Sequence, residues 1–151
     1  MYIHNLNPIL FEIGGYGLRW YSLAYIFGIL IGWWLAKILI DKKIQFKSGV
    51  DQKKFDNFLS YIIFGIIIGG RLGYVLFYNP SYYIKMPLDI LKIWQGGMSL
   101  HGALIGIILV SIFFSIKEKV KSFILLDIVA IVSPIGIFFG RIANFINSEL
   151  Y

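Results

Sequence analysis

The 151-residue sequence contains no cysteine, which excludes disulfides, a thiol nucleophile and thiolate metal ligation together. Histidine occurs only at His4 and His101, too few and too far apart to close a protein zinc site. Charge is scarce as well. Charged residues make up 15% of the chain, against about 25% in soluble domains. The apolar set without glycine reaches 58%, against roughly 45–50% with glycine included in soluble domains. So few charges cannot solvate the surface of a soluble domain of this size, and the membrane is the default reading. The net charge of +6 suits nucleic acid or an anionic membrane surface. The lysines cluster between apolar blocks, so retention of cytoplasmic loops explains them and no nucleic-acid partner is expected. Fixed-period repeats and low-complexity segments are absent too.

What the sequence has is four long apolar blocks, at residues 20–40, 58–78, 98–116 and 123–146. A spanning helix needs about 20 mostly apolar residues at about 1.5 Å each. The blocks predict an all-α integral membrane protein with about four transmembrane helices. The first block has no basic stretch before it and no clean small-residue cleavage site after it, so it reads as a retained helix rather than a signal peptide. Nine basic residues (Lys37, Lys42, Lys43, Lys47, Lys53, Lys54, Lys117, Lys119 and Lys121) flank the first and third connections. Three (Arg19, Lys85 and Lys92) fall on the other side. The lysine-rich loops are therefore expected in the cytoplasm and the N-terminus outside.

Each block also carries small residues four apart: Gly28 and Gly32; Gly65, Gly69 and Gly73; Gly102 and Gly106; Gly136 and Gly140. Such spacing lets helix backbones approach closely in lipid. Pro134, beside Gly136, is expected to kink the fourth helix.

Most of the costly polar groups then fall toward one leaflet. Tyr21 opens the first helix, His101 lies in the first turn of the third, and Arg71 stands about two-thirds of the way up the second. Arg141 lies in the outer half of the fourth, with Asn144 one turn beyond and Glu149 past its end. An arginine in hydrocarbon costs several kcal/mol and normally faces a partner or a wet cavity. For Arg71 the alternatives are a packing ion pair or snorkelling, and for His101 an interfacial ring satisfied by a carbonyl. Two arginines in one leaflet suggest an anionic ligand, because guanidinium forks fit phosphate oxygens. His101 exchanges a proton near neutral pH. Gly96 and Gly97 allow close backbone approach and offer N–H groups before a helix start. Asp127 sits by the lysine turn, where local pairing or capping is expected. His4 carries no assigned role. The aromatics suit interfacial belts and packing.

The terminal stretch GRIANFINSEL resembles the signature of the bacterial prolipoprotein diacylglyceryl transferases, Gly-Arg-x-x-Asn-Phe-x-Asn-x-Glu. RWYSLAY (19–25), GGRLGYVLFY (69–78) and WQGGMSLHGALIG (94–106) resemble the family's other landmarks, in order and across essentially the whole chain. The resemblance implies a multi-pass enzyme of the bacterial inner membrane, its site facing the outer leaflet. It would move the diacylglyceryl group of phosphatidylglycerol to the lipobox cysteine of a prolipoprotein signal peptide, with neither cofactor nor metal. By the same resemblance His101 matches the candidate base, Arg141 the essential arginine, Asn144 and Glu149 its polar partners, and Tyr21 the required tyrosine. Arg71 and Tyr74 match a second-helix motif. The family's usual His-Gly-Gly is His101-Gly102-Ala103 here. Family members continue beyond this point with more spanning helices, a further arginine and a further glutamate. The chain is accordingly expected to be the N-terminal part of a larger polytopic bundle. The alternatives are a non-catalytic remnant or half of a split enzyme that at most binds phospholipid. A small transporter would need polar groups through the full depth of the membrane, which the pattern lacks.

Overall fold

In the computed structural model, the described residues are 7, 9–13, 16–42 and 49–147; His4, Lys43, Lys47 and Glu149 lie outside them. The order is a hairpin of β1 (Ile9–Ile13) and β2 (Tyr16–Arg19), then α1 (Trp20–Asp41), α2 (Gln52–Phe77), α3 (Pro80–Lys85), α4 (Leu100–Glu118) and α5 (Ser122–Ile146). Helices α1, α2, α4 and α5 are long and apolar enough to cross a membrane, which bears out the all-α membrane reading. The hairpin is an addition to it. Its antiparallel register pairs Ile13 with Tyr16 and Phe11 with Leu18, with an irregularity between Ile9 and Phe11. In sequence Gly14-Gly15 separates the strands, a pair that tight hairpin loops favour.

The chain divides into two compact units, residues 45–126 and residues 1–44 with 127–151. The first is organised by a glycine seam between α2 and α4. A methyl group on Gly73 would stand 2.7 Å from the Gly102 Cα, and one on Gly69 would stand 2.9 Å from the Gly106 Cα. Lipid offers no hydrophobic force between helices, so close backbone packing of this kind supplies the attraction instead. At the other end of the seam Phe58 lies 5.1 Å from Phe114 and Tyr61 lies 5.3 Å from it, centroid to centroid. Phe58 and Phe114 are almost wholly buried.

Helix α2 begins at Gln52, six residues before the apolar block. The reason is local: Asp51 accepts a hydrogen bond from the Lys54 amide at 2.7 Å, an N-cap that satisfies a free donor of the first turn. Lys53 and Lys54 thus stand on the helix rather than in the connection, and the Lys54 ammonium reaches the Glu118 carbonyl at 3.3 Å. Helix α4 begins at Leu100 because Ser99 caps it, Oγ accepting from the Gly102 amide at 3.2 Å. Lys119, at φ 53°, ends it in the left-handed conformation.

The other unit pairs α1 with the later part of α5. Ala24, Gly28, Gly32, Ala36 and Ile40 recur every four residues and form the buried stripe of α1. A methyl group on Gly28 would meet the Gly136 Cα at 3.0 Å. Pro134 lies inside α5 and cannot donate to the carbonyl of Ala130. The Ser133 hydroxyl donates to that oxygen at 3.2 Å instead, a side-chain repair of the kind that lets proline persist in membrane helices.

Candidate functional site

The 79–98 connection is a built cap rather than a loose loop. After α3 come two short 3₁₀ turns, Pro87–Leu91 and Ile93–Gln95, and the cap is folded around Arg71. This side chain is 4% exposed. Its Nε donates to the Ile90 carbonyl at 2.9 Å, and Nη1 to those of Gly96 and Gly97 at 2.5 and 3.1 Å. Nη2 donates to the carbonyls of Asp89 and Lys92 at 2.7 and 3.2 Å. A guanidinium has five N–H donors, and five carbonyl oxygens occupy them. The Tyr83 ring lies 5.3 Å from its Cζ, a cation–π distance.

The neighbouring glycines make room for this arrangement. Gly96 and Gly97 have φ of 83° and 82°, a region that side chains disfavour. A methyl group on Gly97 would run into the Tyr74 ring at 2.5 Å. The sequence suggested that this pair would offer N–H groups to a ligand. In the structure both carbonyls turn to Arg71, and the Gly96 amide donates to the Ile93 carbonyl at 3.2 Å. The carboxylate of Asp89 is tied outside the arginine cage, to the Lys92 ammonium at 2.6 Å and the Tyr82 hydroxyl at 2.5 Å. These bonds, Lys92 first, hold its carboxyl below the usual carboxylate range, while the same contact with Asp89 raises the Tyr82 hydroxyl.

His101 follows directly from the cap. It occupies the first turn of α4, two residues after Ser99, whose amide donates to the Gly70 carbonyl at 2.9 Å. The imidazole is exposed, and no hydrogen bond to it is found among the described residues.

In the other unit, the Tyr21 hydroxyl donates to Asn144 Oδ1, joining the start of α1 to the last turns of α5. The Tyr21 ring also stacks on Tyr25 at 5.8 Å. Arg141 lies one turn before Asn144, exposed and without an ion pair or hydrogen bond among the described residues. Asn147, one turn past Asn144, keeps Oδ1 buried with no donor among the described residues. In sequence Asn147 falls within the signature stretch with no role attached to it. Its position in register with Asn144 was the available signal. The described structure thus joins Tyr21 to Asn144, and Arg71 to Gly96 and Gly97.

These features define a class first: a helical membrane protein whose spans carry arginines, with an exposed histidine opening one of the helices. The comparisons then fix the family. A family model described as prolipoprotein diacylglyceryl transferase matches residues 8–151. Phosphatidylglycerol–prolipoprotein diacylglyceryl transferases of Rickettsia canadensis and Rickettsia typhi are each 52% identical over 151 residues, all of this chain and 57% of theirs. The Rickettsia felis counterpart is 52% identical over 147 residues, 97% of this chain and 56% of its own. The chain belongs to the prolipoprotein diacylglyceryl transferase family. It spans somewhat over half the length of these curated relatives.

Proposed function

We propose that this chain is part of a phosphatidylglycerol–prolipoprotein diacylglyceryl transferase, residues 1–151 contributing to a single polytopic domain of a bacterial inner membrane. The observation that carries this reading is the family match across residues 8–151. Its substrates are phosphatidylglycerol and a prolipoprotein signal peptide bearing a lipobox cysteine. The lysine asymmetry of the connections supports a site that opens toward the external leaflet.

The chemistry needs a thiolate and a stabilised phosphate. A cysteine thiol with a pKa of about 8.5 is mostly protonated at neutral pH. His101 takes that proton, and its exposed imidazole is available for the role. The sulfur attacks the diacylglyceryl carbon bonded to the phosphate oxygen. A carbon–sulfur bond forms, the carbon–oxygen bond breaks, and its electron pair leaves on glycerol phosphate. Arg141, uncommitted to other described side chains, holds the phosphate and stabilises the charge that grows there. Asn144, fixed by Tyr21, and Glu149 provide the polar partners of the arginine.

The test supplies the membrane-embedded chain with phosphatidylglycerol vesicles and a lipobox peptide. Release of glycerol phosphate, and its loss in Arg141→Ala and His101→Gln, is the expected result. Release that persists in both variants refutes the assignment of roles. The chain covers 57% of the Rickettsia canadensis relative; release that is absent from this chain alone and restored by a polypeptide matching the remainder of the relatives shows that catalysis needs both parts.

A further inference from the structure

We propose that Arg71 is a positioning residue for His101, holding the 89–97 cap by its backbone and so fixing the turn from which α4 starts. The inference rests on the reading of His101 as the base and adds a residue that acts through it. An arginine that binds a headgroup would aim its donors at open space. Here the guanidinium is buried and all five of its N–H groups meet main-chain oxygens of Asp89, Ile90, Lys92, Gly96 and Gly97. It is not an ion pair either, because Asp89 gives Arg71 its carbonyl and gives its carboxylate to Lys92 and Tyr82. Only a planar fork satisfies acceptors spread over nine residues; a lysine ammonium has three donors and no fork.

The connection to His101 is short. Gly97, the last carbonyl in the cage, packs against Tyr74, one turn along α2 from Arg71. Two residues on, the Ser99 amide is held by the carbonyl of Gly70, which directly precedes Arg71. Ser99 then caps α4 through Gly102. One turn of α2 therefore grips the cap from both ends, and the grip passes to His101 through a helix start rather than through solvent. Because the anchors are main-chain atoms, the register of His101 depends on Arg71 and not on the side chains of the cap.

The experiment uses the full 151-residue chain in nanodiscs, with His4→Gln so that His101 gives the sole imidazole signal. Two readouts are followed: the chemical shift of the His101 ring, and hydrogen exchange at the Ser99 and Gly102 amides. Arg71→Lys, which keeps the charge and loses the fork, should displace the chemical shift of the His101 ring and speed Ser99 exchange at least about tenfold. Phosphatidylglycerol binding should stay within about twofold, since no donor is withdrawn from the headgroup. Gly97→Ala attacks the same cap from the acceptor side and should reproduce the His101 change. The proposal is overturned if phosphatidylglycerol binding collapses in Arg71→Lys while the Ser99 and His101 signals stay put. It is equally overturned if Gly97→Ala leaves His101 unmoved. Transfer activity that survives His101→Gln would sink the base assignment alone, leaving these readouts to judge the clamp.

Discussion

Arg71, in the unit of residues 45–126, spends every N–H group on carbonyl oxygens. Arg141, in the unit that joins residues 1–44 with 127–151, is exposed and meets no partner among the described residues. Both stand in helices apolar enough to span a membrane, where an arginine costs several kcal/mol. One offsets that cost inside the protein and holds a fold together. The other has no such acceptor among the described residues. An intramembrane arginine thus signals expense, and only its acceptors show whether the return is structural or chemical.

The glycines also differ from one position to another in how closely backbone approaches them, and this contrast carries the largest expected effect. Gly106→Val would push a side chain into the Gly65 carbonyl and toward the Gly69 Cα at 3.3 Å. These are backbone atoms that cannot swing aside. A loss of about 3 kcal/mol is expected, at the upper end of overpacking costs, read as a large drop in unfolding temperature in detergent. Gly136→Ala in the other unit has nothing within 4 Å of the added methyl and should stay within about 0.5 kcal/mol. Equal losses would erase the distinction.

The arginines themselves come next. Arg71→Ala leaves main-chain oxygens of the cap without donors, a loss of about 2–3 kcal/mol where water reaches only some of them. Arg141→Ala removes no described contact and should leave stability within about 0.5 kcal/mol. On the proposed role its effect is on turnover, with glycerol phosphate release falling about 100-fold in an enzyme that is otherwise active. A variant pair that reversed this order, Arg141 for stability and Arg71 for rate, would invert the roles.

How much of this was legible beforehand depends on range. The four spans were, because length and apolarity are local properties, and so was the glycine seam, because four-residue spacing fixes a helix face. The early start of α2 was less so: Asp51 and the Lys54 amide make a cap worth about 1 kcal/mol, but polar residues there look like loop. Arg71 was legible as an anomaly and illegible as a clamp, since its acceptors lie 18 to 26 residues away and are carbonyls that every residue carries. The hairpin at 9–19 escaped a reading that looked only for long apolar runs. Asn144 stands out in sequence as the polar residue one turn beyond Arg141, but its bond to Tyr21 spans 123 positions, and no local pattern encodes that pairing.

That long-range bond gives a smaller effect. Tyr21→Phe keeps the ring against Tyr25 and withdraws the hydroxyl from Asn144, for a loss of about 1 kcal/mol. Should Asn144 serve Arg141 only when held this way, Tyr21→Phe lowers turnover more than this stability change accounts for. Measuring unfolding and turnover on the same preparation separates the two.

The smallest effect is acid sensitivity confined to the cap. Asp89 is held below its ordinary value by Lys92, Tyr82 and, more weakly, Arg71. A depressed carboxylate stabilises the fold fully above its unfolded pKa of about 3.9, and that contribution fades as pH falls through the lower folded value. Hydrogen exchange in the cap should therefore keep a constant opening equilibrium from neutrality to about pH 4 and loosen below it. Asp89→Asn removes that dependence. Even then the backbone oxygen of Asp89 stays with Arg71, so protonation frees the Lys92 and Tyr82 side chains without opening the arginine cage. If acid released Ser99 as completely as Arg71→Lys does, the carboxylate rather than the main-chain cage would be the element that holds the start of α4.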